Sequence, residues 1–453
     1  MTTTPPDHQH RTSDTDVLLK QRQDSLIRFI SSKRHLLVWL LLVVILVTGY
    51  WIRTQNLERY VDVTTGDYMP GDPDAMVVLR YAQEILQTGT LADVDPLRYH
   101  PYGYPQVGEF TFLSHFIALL YTAMHVLDPD VTLGYADILY PPITFVFALL
   151  FFFLFVRSLF GSNVLALFST AFLAVNKAFI FRTLAGVSDK EGLAVVFLFM
   201  AFYFFVLSWK QTSWKKALLF GTLAGIATTF TGLVWGGVNF IFITFGLFSF
   251  ITFLLGSMSQ SDRVSFSSWF ISASLLLVFF SGRYSLHTFF ITNSTLPAFV
   301  TLVALVIHFL LARYASTLYQ KGILARLPQP FVTLLVTTLF GFFALLVFFG
   351  PSFFFDTAGG TYVQITRSIG GIDRWGNTVA ESRQPYITDW FSEMGTYFVY
   401  IFLLASVFLF WKLVEPTKKH RIRLTAAYLI FLFLLVFTRY SPSSFFNGEN
   451  FIS

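Results

Sequence analysis

The sequence predicts an all-α protein that crosses a membrane many times. Apolar runs of about 18 residues or more recur along most of the 453-residue chain, and a helix of that length spans a hydrocarbon core of about 30 Å. Charged residues make up only 13% of the chain and hydrophobic residues 55%, whereas soluble domains carry about a quarter charged residues. Together these observations exclude a soluble globular domain.

About eleven runs are predicted to span the membrane. Their approximate bounds are 36–52, 138–157, 162–179, 191–208, 217–234, 237–256, 266–281, 289–312, 330–350, 391–411 and 424–438. A further run, Phe110 to Leu127, contains His115 and His125, and we expect it to form a helix that lies in or on the membrane without crossing.

The distribution of Lys and Arg predicts the topology, because cytoplasmic loops carry an excess of both. If Phe110–Leu127 does not cross, the basic loops all fall on one side, which is then the cytoplasmic side together with the amino terminus. These basic residues are Lys33, Arg34, Lys210, Lys215, Lys216, Arg263, Arg313, Lys321, Arg326, Lys412, Lys418, Lys419, Arg421 and Arg423. The outer face then holds two long loops, 53–137 and 351–390, so an active site in this cell-membrane protein is expected to face outward.

Three regions are expected along the chain. Residues 1–34 are predicted to be a disordered cytoplasmic tail without a cleavable signal peptide. Residues 35–440 are predicted to form the transmembrane domain, and residues 441–453 the start of a C-terminal part that the sequence lacks.

Composition also limits the chemistry. The chain contains no cysteine, which excludes disulfides, thiolate metal sites and cysteine nucleophiles. The histidines, among them His100, His115 and His125, lack the spacing of zinc ligands. The net charge of +5 is explained by the basic cytoplasmic loops and does not indicate nucleic-acid binding.

The acidic residues of the outer loops each have a local explanation and a functional one. Asp74 and Asp189 precede helical patterns and could cap those helices, and Asp72 could be a turn residue. Yet Arg182, Asp189, Lys190 and Glu191 crowd one short loop between two apolar runs, where ionisable groups are costly and often functional. Carboxylates of this kind bind hard divalent cations such as Mg²⁺ or Mn²⁺, which can neutralise a phosphate or diphosphate leaving group.

Three motifs in order resemble the catalytic subunit of oligosaccharyltransferases, nearest the archaeal AglB type. The run RTLAGVSDKE, from Arg182 to Glu191, resembles the Arg-x-x-x-Gly-x-x-Asp-x-Asp/Glu loop of that family. DAMVVLR, from Asp74 to Arg80, resembles its first-loop motif, and TVAE, which ends at Glu381, resembles its TIxE motif. The segments WGG (235–237) and PYGYP (101–105) are similar to family features as well.

The resemblance implies a GT-C-type membrane glycosyltransferase. Such an enzyme transfers a glycan from a lipid-linked phosphate or diphosphate donor, such as a dolichyl lipid, to the Asn of an Asn-x-Ser/Thr sequon in an acceptor polypeptide, with inversion at the anomeric carbon. It also implies that Asp74, Asp189 and Glu381 are catalytic, and that these three residues and Glu191 bind Mn²⁺ or Mg²⁺. The residues implied to bind the donor phosphate or substrate are Arg80, Arg182 and Arg439.

One departure from the family pattern affects the expected activity. The family continues into a soluble outer domain with a WWDYG motif that holds the sequon hydroxyl, and this motif is absent from the 453 residues. We therefore expect a fragment, or a chain that needs a partner, with little transfer activity alone. Two alternatives remain open: a Ser/Thr O-mannosyltransferase of the GT-C type, which should lack TVAE, and a multispan transporter, which should carry polar residues or helix breaks in mid-membrane.

Overall fold

The computed structural model describes residues 22–23, 33–292, 294–314, 327–366, 387–414 and 428. This described part is a bundle of long helices with one small hairpin. Seven of its helices are long and apolar enough to cross a membrane, or up to nine if each of two bent helix pairs is one span. The prediction of an all-α polytopic membrane protein is confirmed.

The first loop follows helix α1 (Arg34–Thr54) and contains most of the short elements. A 3₁₀ helix (Leu57–Tyr60), helix α2 (Pro73–Thr88) and a hairpin of two short antiparallel strands precede the amphipathic helix α3 (Phe112–Leu127). The strands β1 (Val94–Asp95) and β2 (Tyr104–Pro105) pair with each other. At 16 residues, α3 is shorter than a membrane span, in agreement with the prediction that this run does not cross.

Among the described residues, thirteen further helices follow α3 in chain order. They are α4 (Leu133–Phe160), α5 (Asn163–Val175), α6 (Lys177–Thr183), α7 (Lys190–Trp209), α8 (Trp214–Val234), α9 (Val238–Leu254), α10 (Gln260–Phe280), α11 (Leu286–Ile291), α12 (Leu296–Tyr314), α13 (Gln329–Phe349), α14 (Ser352–Thr366), α15 (Ile387–Met394) and α16 (Thr396–Val414).

Polar side chains and glycines mark where several helices begin and end. Thr132 and Ser162 accept hydrogen bonds from the first free N–H groups of α4 and α5, as N-cap residues do. Gly89 and Gly161 end α2 and α4 in the left-handed conformation, which glycine adopts at little cost. These boundaries are therefore set by local chemistry that the sequence shows.

The centre of the bundle is the contact between α8 and its neighbours α7 and α10. A Cβ added at Gly225 of α8 would lie 1.8 Å from Ser272 Oγ of α10, and one at Gly221 would lie 2.0 Å from Ser268 Oγ. Small residues thus let the two backbones approach closely, which is how helices associate in lipid. Beside this contact, the buried Trp269 donates from its indole nitrogen to Thr228 Oγ1 at 3.0 Å.

Three predicted spans differ in detail from the observed helices. The run 289–312 is divided between α11 and α12. The run 162–179 is bent by 60° between α5 and α6, where Asn176 caps α6, and 391–411 is bent by 111° between α15 and α16, where Gly395 has a φ of +91°. A hydropathy profile does not detect such breaks, because the residues on both sides of each break are apolar. Apart from Tyr428, the predicted span 424–438 lies outside the described residues.

Candidate functional site

The segment between α6 and α7, residues 184–189, is fixed by hydrogen bonds to two other helices. The Ala185 N–H donates to the carbonyl of Arg53 in α1, and the Gly186 N–H donates to the carbonyl of Ile138 in α4, both at 2.9 Å. Ser188 Oγ donates to the carbonyl of Asp137 at 2.8 Å. These bonds fix the position of the acidic residues that follow.

Gly186 is required at its position in this segment. Its φ is +82°, a conformation that side chains rarely adopt, and an added Cβ would lie 2.4 Å from the ring of Tyr60. Only glycine meets both conditions. The glycine of the Arg-x-x-x-Gly-x-x-Asp pattern therefore has a physical reason in this chain.

Asp189 is both a helix cap and the centre of a charge cluster. One carboxylate oxygen accepts from the Lys190 N–H at 2.7 Å at the start of α7. The carboxylate also pairs with the Arg182 guanidinium at 3.2 Å and with the Lys190 ammonium at 3.6 Å. The capping explanation of Asp189 is thus correct in part, but its side chain remains 24% exposed, so it can still be reached from the cleft described below.

Glu191 lies beside Asp189, one position into α7. Partial burial raises the pKa of Asp189, but the interaction with the Glu191 carboxyl, the Lys190 charge and N–H, and the Arg182 charge together hold that pKa below its usual value. Glu191 Oε2 is buried and has no hydrogen-bond partner among the described residues. Two adjacent carboxyls, one ionised and one with an unused oxygen, are a donor set that suits a hard cation.

Asp74 does not cap α2, so the capping explanation is wrong for this residue. The N-cap is Asp72, whose side chain accepts from the Asp74 N–H at 2.8 Å. Asp74 itself lies in the first turn of α2 and is exposed. Its carboxylate is therefore available at a helix N-terminus, where the helix dipole favours negative charge.

A cleft of about 340 Å³ brings Asp74 and Asp189 together, although 115 positions separate them in the chain. Its walls include Tyr81, Arg98, Glu109, Lys190 and the start of α3. The two acids that the sequence singled out independently, one in the first loop and one between α6 and α7, therefore face the same space.

The hairpin beside this cleft is held by an ion pair with Arg80. Its guanidinium binds Asp95 through two hydrogen bonds, and the Tyr81 hydroxyl donates to the same carboxylate at 2.8 Å. The Arg80 pair, above all, lowers the pKa of Asp95 to about 2. Arg80 does not line the cleft, and its contact with substrate stays a prediction.

The sequence analysis missed several polar residues around the site. Arg98 lies over the Tyr104 ring at 3.9 Å and pairs with Glu109 at 3.6 Å; no local pattern marks this pair. Asp137 and Arg53 are fully buried and lie under the 184–189 segment. The sequence offers one indication of these two residues, because each is an ionisable residue within an apolar run.

Two predicted site residues, Glu381 and Arg439, lie outside the described residues. Within the described ranges, no three acidic or histidine side chains form a group that could hold a metal ion. The cleft therefore supplies the two carboxylates that the sequence singled out, Asp74 and Asp189, with Glu191 next to the second; Glu109 also lines the cleft and is paired with Arg98. These residues alone would not supply a complete set of ligands for a divalent ion.

The architecture matches solved membrane glycosyltransferases. The chain superposes on the oligosaccharyltransferase of Archaeoglobus fulgidus in its apo form with a TM-score of 0.67 and 18% identity, covering 90% of this chain and 48% of that one. The same archaeal enzyme, AglB, in complex with an inhibitory peptide and a dolichol-phosphate, gives a TM-score of 0.66 and 17% identity over equal shares. The fold is thus the membrane-embedded GT-C fold.

Sequence comparison defines the family. The family described as oligosaccharyl transferase STT3, N-terminal, matches residues 80–388, which is more than half of the chain. The chain belongs to the STT3 oligosaccharyl transferase family. It is 28% identical over 187 residues to the dolichyl-diphosphooligosaccharide–protein glycosyltransferase subunit stt-3 of Caenorhabditis elegans, covering 40% of this chain but only 23% of that protein.

Proposed function

We propose that this protein transfers a glycan from a lipid-linked phosphate or diphosphate donor to the side-chain amide of Asn in an Asn-x-Ser/Thr sequon. The observation that carries the proposal is the cleft shared by Asp74 and Asp189 in a chain of the STT3 family. The names of its relatives agree with this substrate class, since the C. elegans protein is a dolichyl-diphosphooligosaccharide–protein glycosyltransferase subunit, and the archaeal structure contains a peptide and a dolichol-phosphate.

The proposed cofactor is Mn²⁺ or Mg²⁺, held by Asp74 and Asp189 with Glu191 and Glu381 completing the ligand set. When bound, such an ion stabilises the negative charge that develops on the leaving phosphate. Carboxylates are the ligands that both ions prefer. The Glu191 carboxyl, with Lys190 and Arg182, holds the pKa of Asp189 below its usual value, which supports this assignment.

The protein's own side chains have two further tasks in the proposed mechanism. An amide nitrogen is a weak nucleophile because its lone pair is delocalised into the carbonyl group. Carboxylates that accept hydrogen bonds from the amide N–H groups, with Glu381 as the proposed residue, would reduce this delocalisation and orient the nitrogen for attack. Attack opposite the leaving phosphate inverts the anomeric carbon, and Arg182, Arg80 and Arg439 are the proposed cations for that phosphate.

The proposed location of this reaction is the outer face of the cell membrane. The cleft lies at the end of the bundle where α1 ends and α4 begins, next to the first loop. The basic loops that the sequence assigned to the cytoplasm adjoin the other ends of the helices.

The decisive experiment is a peptide glycosylation assay. Membranes that contain the protein are incubated with a fluorescent sequon peptide, a lipid-linked oligosaccharide and Mn²⁺, and the glycopeptide is separated by gel mobility. We expect transfer that stops when a chelator is added, resumes when Mn²⁺ is restored, and is absent with a peptide in which Gln replaces the acceptor Asn. Transfer to Ser or Thr, or transfer unaffected by the chelator, would contradict the proposal.

A further inference from the structure

Helix α4 contains two consecutive prolines, Pro141 and Pro142, and both are buried. A proline inside a helix has no N–H to donate to the carbonyl four residues earlier. The carbonyls that lose their partners within α4 are therefore those of Asp137 and Ile138. In a membrane-spanning helix such carbonyls need another donor, because an unpaired carbonyl is costly in hydrocarbon.

The segment 184–189 supplies both of the missing donors. Ser188 Oγ donates to the carbonyl of Asp137 at 2.8 Å, and the Gly186 N–H donates to the carbonyl of Ile138 at 2.9 Å. Each proline thus frees one carbonyl of α4, and each freed carbonyl accepts a hydrogen bond from this segment. The two prolines create the site on which the segment is held.

The residue before the prolines makes a third contact with the same segment. Tyr140 is fully buried, and its hydroxyl donates to the carbonyl of Asp189, the residue that caps α7. That carbonyl also accepts from the Gly192 N–H at 3.2 Å, so α7 can begin without the tyrosine. The Tyr140 hydroxyl therefore adds a bond that holds Asp189 against α4, and this bond offsets the cost of burying the hydroxyl.

Tyr140 also connects the two helices that carry the acids of the cleft. Its ring belongs to a buried apolar cluster that includes Ala82 of α2 and Leu193 of α7. Asp74 lies in the first turn of α2, and α7 begins directly after Asp189. The positions of both acids thus depend on the same part of α4.

We propose that Tyr140, Pro141 and Pro142 are positioning residues for the proposed metal site. The prolines free two carbonyls of α4 that hold the segment 184–189, and the Tyr140 hydroxyl fixes the carbonyl of Asp189. None of the three lines the cleft, so they act through the backbone of that segment. The inference rests on the proposed function, because the carboxylates that are positioned are the proposed ligands of Mn²⁺ or Mg²⁺.

A purely structural role of the prolines leads to a different expectation. If Pro141 and Pro142 only shaped α4, replacing either by Ala would return an N–H to the helix and improve it, without effect on the acidic residues. If they free carbonyls for the segment 184–189, the restored N–H competes with Ser188 or Gly186 for its carbonyl. The helix then becomes more stable while the segment and the carboxylates beyond it lose their fixed position.

The test measures Mn²⁺ binding to the purified 453-residue chain in detergent, without donor or peptide, from the electron paramagnetic resonance signal of free Mn²⁺. Pro141→Ala and Pro142→Ala should each weaken Mn²⁺ binding about tenfold, because groups that orient metal ligands affect metal affinity to this extent. Their thermal unfolding midpoints should stay equal or rise. Pro297→Ala, in the first turn of α12, where a proline removes no intrahelical bond, should leave Mn²⁺ binding unchanged.

A second pair of variants tests the tyrosine. Tyr140→Phe removes only the hydroxyl and should weaken Mn²⁺ binding about fivefold. Tyr135→Phe makes the same change in the first turn of α4, where the ring packs on Tyr68, and should have no effect. Amide hydrogen exchange of residues 185–189 gives a readout that needs no metal, and it should be about tenfold faster in Pro142→Ala and in Tyr140→Phe than in the native protein.

The outcomes separate this inference from the proposed function. Native Mn²⁺ affinity in the proline variants and in Tyr140→Phe would overturn the inference, and in protein that glycosylates the sequon peptide it would leave the proposed function intact. A lowered unfolding midpoint in Pro142→Ala with native exchange at 185–189 would also overturn it. Weaker Mn²⁺ binding together with faster exchange at 185–189 would support it even in protein that transfers no glycan to Asn. In protein that binds no Mn²⁺ the proposed cofactor fails, and exchange at 185–189 alone decides the inference.

Discussion

Replacing Asp95 with Asn should loosen the first loop where it adjoins the cleft. Asp95 is 1% exposed and accepts hydrogen bonds from both Arg80 and Tyr81. Through these contacts it joins α2, which carries Asp74, to the hairpin whose connecting segment carries Arg98. The amide of Asn keeps the size of the side chain but removes the charge that Arg80 needs.

The magnitude follows from the pKa of Asp95. The hydrogen bonds from Arg80 first, and then from Tyr81 and the Leu97 N–H, lower this pKa from 3.8 to about 2, and each unit corresponds to about 1.4 kcal/mol. The difference amounts to roughly 2.4 kcal/mol, which we reduce to about 2 kcal/mol because Arg80 is partly exposed to solvent. Since the folded pKa lies below the unfolded one, this stabilisation is fully present above about pH 5 and is lost as the pH falls through 4 towards 2.

Amide hydrogen exchange measures this local stability directly. At pH 7 the amides of α2 and of the hairpin should exchange about 30-fold faster in Asp95→Asn than in the native protein, as 2 kcal/mol requires. The ratio should fall towards one as the pH approaches 2. Asp93→Asn makes the same charge change at an exposed position and should leave exchange unaltered. Equal exchange in Asp95→Asn and native protein at pH 7 would refute the role assigned to this pair.

Three further predictions concern the proposed reaction and the bundle. Asp74→Asn or Asp189→Asn should each lower the initial rate of peptide glycosylation by roughly 100-fold or more, because each removes a charged ligand from a small donor set; near-native rates in both would leave these acids with structural roles only. Glu381→Gln should lower kcat more than the affinity for donor, which single-turnover and donor-binding measurements distinguish; intact transfer would make the TVAE match a coincidence. Gly225→Ala should lower the thermal unfolding midpoint in detergent by several degrees, because the added Cβ would overlap Ser272 Oγ at 1.8 Å. Gly341→Ala, which meets no atom within 4 Å, is its control, and equal midpoints would contradict the close α8–α10 contact.

The sequence predicted the elements of the fold because their causes are local. Apolar length decides whether a helix can span a membrane, and residues such as Ser162 or Gly161 cap helices through bonds to near neighbours. Helix breaks such as the one at Asn176 were missed, because a bent and a straight apolar helix have the same hydropathy. The motif around Asp189 was found because its polar residues are close in the chain and stand out against apolar runs.

Only the tertiary structure decided which of these residues act together. It showed that Asp72 rather than Asp74 caps α2, that Arg80 is held by Asp95, and that Asp74 and Asp189 share one cleft. It also placed the Arg283 guanidinium against the carbonyl of Gly108 in the first loop, although 175 positions separate the two residues. The physical reason is that these relations depend on how α2, α3, α8 and α10 pack against one another. Distances across such contacts are set by side chains far apart in the sequence, and no local pattern records them.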